Sequence, residues 1–230
     1  LKENNFNALF NKLSTTNMIW EDLISNTDIA KKTHDNFHYL DSLLSGPFKR
    51  LFFDKTILTS LHLSGANDYG LIFYMPLSDD ITEEQLIKEI KNVTHKNPEA
   101  RKYDGATIHT LPTNSKTKIS ITIYKNTFAF SYSTSLIEDV IRQLNTETSL
   151  INDINFAKMV ANSGQSEDGN LFINNKYFAK IINQYINKST KKYATNLDNY
   201  TNWIELDISI KANSLSLNGF SFSEDKNCIT

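Results

Sequence analysis

The residues whose types could do chemistry are few and widely spaced. His34 and His38 stand four apart in a segment with helical spacing, and Asp41 falls on nearly the same side, so the three could converge on one metal ion. That side also borders the apolar stripe at Phe37 and Leu40, where a histidine serves equally well as an amphipathic edge. His62 shares a strand face with Leu58 and Ser60. A lone strand histidine is usually a hydrogen-bonded structural residue, and the sequence picks out no serine or cysteine partner for it. With the Ser64 to Gly70 connection, His62 still marks where a ligand pocket would lie. Glu205 and Asp207 share a strand face as paired glycosidase carboxylates do, but they alternate with aliphatic residues and are expected to point to water. Asp79, Asp80, Glu83 and Glu84 gather where a helix starts, and the helix dipole accounts for them. His95 and His109 are scattered.

Recognised motifs fail at specific positions. Gly65-Ala66-Asn67-Asp68-Tyr69-Gly70 has the glycine spacing of a phosphate loop, yet Leu71-Ile72 stands where Lys and Ser or Thr are needed, and a strand follows instead of a helix. Gly164-Gln165-Ser166-Glu167-Asp168-Gly169 is one residue too long for a nucleophile elbow and reads as a turn. No dinucleotide fingerprint, paired-histidine zinc helix or calcium loop occurs. The sequence therefore assigns no catalytic residue, no metal and no cofactor.

The elements that must position these side chains alternate between helices and hairpins. Phe6, Leu9, Phe10 and Leu13 keep helical spacing, followed by Trp20, Leu23 and Ile24; Ile29, Thr33, Phe37, Leu40 and Leu44 form a second stripe that Gly46-Pro47 ends. Ile57 to Leu63 and Leu71 to Leu77 predict a hairpin. Thr82-Glu83-Glu84-Gln85 fits a capping box, in which hydroxyl and amide reciprocally satisfy orphan backbone donors, and the buried stripe Leu86, Ile87, Ile90 and Val93 follows. Ile119 to Ile123 and Phe128 to Tyr132 predict a second hairpin through Lys125-Asn126. Ser135 is expected to open a capped helix with Val140, Ile141 and Leu144 inside. A strand at Leu171 to Ile173 and a helix with Phe178, Ile181, Ile182 and Tyr185 come next. The last hairpin starts at Trp203, with Ile204, Leu206, Ile208 and Ile210 on one face and a glycine bulge at Asn218-Gly219.

This order implies an α+β fold of antiparallel β-hairpins alternating with helices, in two related helix-plus-hairpin units at 1–145 and 146–230, either separate or packed as a single domain. The seam is expected near residues 146–168.

Composition excludes several classes. The chain has 230 residues and a net charge of −2, so nothing electrostatic favours nucleic acid, which needs clustered Lys and Arg to displace counterions. One cysteine, Cys228, rules out an internal disulfide or thiolate cluster. No apolar run approaches the roughly 18 residues that span a bilayer. Twenty-seven asparagines give a polar surface, and sequons at Asn92, Asn187 and Asn199 follow from that abundance as readily as from glycosylation. The chain starts at Leu1 without Met, in the approach to a helix, which reads as a piece of something longer.

Leu40-Asp41-Ser42-Leu43-Leu44, Thr59-Ser60-Leu61-His62-Leu63-Ser64-Gly65 with Asn67-Asp68-Tyr69, and Trp203-Ile204-Glu205-Leu206-Asp207 leading to Leu217-Asn218-Gly219-Phe220 together resemble a domain of unknown function in the N-terminal region of larger exported bacterial proteins. The resemblance covers most of residues 6–225. It implies a periplasmic or cell-surface location, often with a lipid anchor outside this piece, and carries no catalytic residues. The resulting expectation is a non-enzymatic interaction or structural module whose partners are other domains of the same longer chain or another envelope protein. The competing expectation is a hydrolase or carbohydrate-binding protein with a pocket near His62. A metal-dependent sensor using His34 and His38 ranks last.

Overall fold

A computed structural model describes residues 2–3, 56–64, 69–79, 81–112, 118–146, 148–164, 168–183, 186–187, 191–194, 197–211 and 214–222. The two helices expected before residue 46 lie outside these residues, and so do His34, His38 and Asp41. The chain divides into two units, one taking Lys2–Glu147 with Ile210–Ser214, the other Thr148–Ser209 with Leu215–Thr230. Both combine antiparallel strands with helices, which makes the protein α+β.

In the first unit the strands are β1 (Lys2–Glu3), β2 (Ile57–Leu63), β3 (Tyr69–Pro76), β4 (Glu99–Tyr103), β5 (Ala106–Pro112), β6 (Lys118–Tyr124) and β7 (Thr127–Ser131), in the order β1-β2-β3-β7-β6-β5-β4. Every pairing is antiparallel. Helix α1 (Glu83–Thr94) covers one face, where Leu86 and Ile90 meet Ile57, Phe73, Met75, Ile121 and Phe130. Helix α2 (Thr134–Asn145) covers the other, with Ile137, Val140 and Ile141 against Ile72, Ile108 and Ala129. The two sets sit on the two faces because side chains alternate across a strand. Phe73 and Phe130, direct cross-strand partners, stack at 4.6 Å and tie β3 to β7.

Local chemistry explains the joints. The α1 capping box forms as expected: the Gln85 N–H donates to the Thr82 hydroxyl at 3.2 Å, and the Thr82 N–H donates to the Gln85 side chain at 2.9 Å. Lys125 (φ 46) and Asn126 (φ 57) make the tight turn between β6 and β7. The sequence reading missed β4 and β5, although the turn joining them, Asp104 (φ 44) and Gly105 (φ 85), is the Asp-Gly pair such turns favour. Helix α2 starts at Thr134, not Ser135, and Ser133 at its N-cap makes no side-chain capping bond.

The second unit orders its strands β10-β9-β8, from β8 (Gly169–Asn174), β9 (Trp203–Lys211) and β10 (Ser214–Phe222). The stretch expected to hold the seam, 146–168, contains a 3-10 turn, Leu150–Asn152, and helix α3, Ile154–Asn162. Asp153 caps α3, its carboxylate accepting from the N–H groups of Asn155 and Phe156. Helix α4 (Asn175–Ile182) follows β8 directly, and the buried Asn175 amide donates to the Thr201 carbonyl at 2.8 Å.

Candidate functional site

Two polar clusters have the makings of a site, one in each unit. The first lies on the α2 face of β2. Register places Ser60 opposite Ile72 and Leu58 opposite Tyr74, so Ser60, His62 and Tyr74 share that face. His62 Nε2 and Ser60 Oγ are hydrogen-bonded at 2.8 Å, and the Ser60 hydroxyl donates to Tyr74 Oη at 3.5 Å. His62 keeps solvent contact, yet burial by surrounding protein lowers its pKa below the ordinary histidine value, opposed by the negative charge of Asp139 on α2. Burial raises the Tyr74 pKa, and Asp139 adds to that rise, so the phenol stays protonated. Asp139 itself is engaged by Arg142, which also donates to Tyr103. The imidazole lies within proton-transfer distance of the serine hydroxyl, and acts as its base only when the single hydroxyl hydrogen turns from Tyr74 to His62.

The second cluster is built on β8 and β9. Asn170 lies opposite Asp207 and Phe172 opposite Glu205, so these side chains share a face with Trp203. Phe156 of α3 packs on Phe172 at 5.5 Å and on Trp203 at 4.8 Å, which lays the helix over that face. Glu205 is therefore 1% exposed and Asn170 2%. The expectation that Glu205 points to water is wrong. Period-two alternation identifies which residues share a face but not which face another element covers, and here α3 covers the acidic one.

One amide nitrogen organises this cluster. Asn170 Nδ2 lies 2.7 Å from Asp207 Oδ1, 2.9 Å from Glu205 Oε1 and 3.2 Å from the Gly164 carbonyl just beyond α3. With two hydrogens for three acceptors, the amide leaves the oxygens under-served. Burial raises the Glu205 pKa; the Asn170 bond pulls it back, and the charge of Asp207 raises it further. Asp168, also buried, precedes β8. Because Glu205 is enclosed, the chemistry open to it is proton uptake and release within the fold.

His109, set aside as scattered, is buried on the α1 face and donates to the Glu83 carboxylate at 2.6 Å. Glu83 thus has a tertiary partner as well as the helix dipole. A separation of 26 residues hides such a pair from local reading. Ser60, by contrast, was accessible, since a residue two away on a strand is the first neighbour on its face.

Among the described residues no set of three or more His, Cys, Asp or Glu side chains is placed to hold a metal ion, and no helix is long and apolar enough to cross a membrane. Comparison with family models, with curated proteins and with solved structures finds no match to this chain.

Proposed function

We propose that this chain is a non-enzymatic interaction module of a larger exported protein of the bacterial envelope, and that it binds by pairing the β10 edge of its sheet with an extended strand. What supports this is β10, which ends the strand order and carries no charged side chain in its nine residues. Such an edge presents backbone donors and acceptors to any strand that can match them. The export context rests on the sequence resemblance.

The test is capture from an envelope fraction on the immobilised chain, beside a variant carrying Ser216→Lys and Asn218→Lys, two exposed β10 positions. The expected result is a partner held by the native edge and released by the charged one. Equal retention by both overturns the reading.

A second reading, a hydrolase, is favoured by the Ser60 and His62 hydrogen bond alone. In it His62 takes the Ser60 proton as the hydroxyl attacks an ester carbonyl, then returns it to the leaving alkoxide. Ester turnover that disappears in Ser60→Ala would put this reading first.

A further inference from the structure

A buried acid is normally paired with a cation, yet among the described residues neither acid on the covered face of β9 has one. Glu205 is 1% exposed, and Asp207 follows it two positions along the same face. The charged groups of the surrounding elements are placed elsewhere. On α3 the one titratable side chain, Lys158, sets its ammonium over the Phe222 ring at 5.5 Å, and Asp153 caps the opposite end of that helix from Gly164. β8 and β10 carry no charged residue, Lys176 and Lys180 of α4 lie over Tyr177, and Lys211 is exposed four positions beyond Asp207. Asp168, buried just before β8, is a further acid. Among the described residues, the hydrogens offered to Glu205 and Asp207 are therefore the two on Asn170 Nδ2.

The same nitrogen reaches the chain that leaves α3. The Gly164 carbonyl stands 3.2 Å from Asn170 Nδ2, and a Cβ on Gly164 would stand 3.2 Å from Asp207 Oδ2, so this backbone rests against the carboxylate. We infer that a proton held by Glu205 beside Asp207 clasps the C-terminal end of α3 to the sheet, and that losing it releases that end. With both acids charged, the two amide hydrogens go to the two carboxylates, because a hydrogen bond to an ion is roughly twice as strong as one between neutral groups. The carbonyl, the longest of the three contacts, then faces negative oxygen with no hydrogen between. A proton on Glu205 cancels one charge, so one amide hydrogen stays with Asp207 and the other serves the carbonyl. The clasp therefore closes on the acid side. Burial raises the Glu205 pKa, with the Asn170 bond opposing and the Asp207 charge adding, so release comes as pH rises above the ordinary glutamate range. What is released is the last turn of α3, where the Ser163 N–H closes on the Met159 carbonyl at 2.9 Å. The start of the helix keeps its hold through Phe156 on Phe172 and Trp203.

The experiment follows backbone hydrogen exchange of the full chain between about pH 4.5 and about pH 8, corrected for the dependence of exchange chemistry on pH. Protection at Asn162 and Ser163 should fall at least about tenfold across that range, while the amides of α4 in the same unit hold theirs. Glu205→Gln, which carries no charge, should keep the end of α3 protected throughout. Asn170→Ala, which removes the shared donor, should leave it unprotected even at the acid end. If Asn170→Ala proves poorly folded, Glu205→Gln carries the test. Protection in the native chain that does not change with pH overturns the inference, and so does a fall that survives in Glu205→Gln. A loss that α4 shares in equal measure also overturns it, since the unit would then be opening as a whole.

Discussion

The two units bury polar side chains in different ways. On the α2 face of the first, Ser120, Thr122 and Ser131 are almost fully enclosed, and each has a near partner. Ser131 donates to the Leu71 carbonyl at 2.7 Å, Thr122 to the Thr107 carbonyl at 3.0 Å, and Ser120 shares a bond of 2.7 Å with Thr134. A hydroxyl can be donor and acceptor at once and carries no charge, so such a core is satisfied at any pH. The second unit encloses Glu205 beside Asp207 and gives both the same amide donor. The difference is that the three hydroxyls on the α2 face of the first unit are satisfied at any pH, whereas the second unit's cluster depends on where a proton resides.

Asn170→Ala should break the contrast most strongly. It removes the donor from two carboxylates and from the Gly164 carbonyl, and should cost about 3 kcal/mol or more, read by denaturant melting. Ser131→Ala deletes two neutral bonds, the one given to the Leu71 carbonyl and the one accepted from the Ser133 N–H, so the expected loss is about 1–2 kcal/mol and independent of pH. A pH-dependent loss for Ser131→Ala would erase the distinction between the units.

Glu205→Gln sharpens the contrast. The folded state raises the Glu205 pKa, so it binds a proton the unfolded chain releases, and stability from this group is present below the ordinary glutamate range and lost as pH rises through the folded value. Glutamine keeps the carbonyl that accepts from Asn170 and carries no charge at any pH. The variant should melt higher than the native chain at pH 7, match it more closely near pH 4, and flatten the profile between. The smallest effect belongs to His62→Gln. The His62 pKa is lowered on folding, so its contribution is present above about 6.5, the ordinary histidine value, and declines as pH falls below it. Replacing it should remove a shallow acid-side decline and nothing at pH 8.

The elements legible in the sequence were those with a local cause. The Thr82 and Gln85 cap, the Lys125-Asn126 turn and the β2 to β3 hairpin each follow from residues within a few positions of one another. Asp104-Gly105 carried an equally local signal, but β4 is so highly charged that its alternation has no apolar phase to detect. Helix α3 was hidden for a related reason: Ile154 is 60% exposed, so the apolar residues near its start do not mark its buried side. Of the candidate site, the pairing of Glu205 with Asp207 was readable from spacing. Its enclosure was not, because that depends on Phe156 arriving from a helix some fifty residues earlier. Gly219, the position of the expected bulge, is also where β9 comes close. A Cβ there would lie 1.8 Å from the Glu205 carbonyl oxygen, so the close approach of two backbones excludes any larger residue.

The end of α2 is gripped by two tight turns of the first unit, Asp104-Gly105 and Lys125-Asn126. The Lys125 ammonium donates to the Leu144 carbonyl at 2.8 Å, the Tyr124 hydroxyl to Asn145 Oδ1 at 2.9 Å, and the Asn145 amide to the Asp104 carbonyl at 2.9 Å. A peptide bond cut at either turn would therefore leave its two pieces clasped by a helix terminus that neither cut touches. Expressed as separate halves divided at Gly105, the first unit should reassemble by fragment complementation, with the last turn of α2 as the latch.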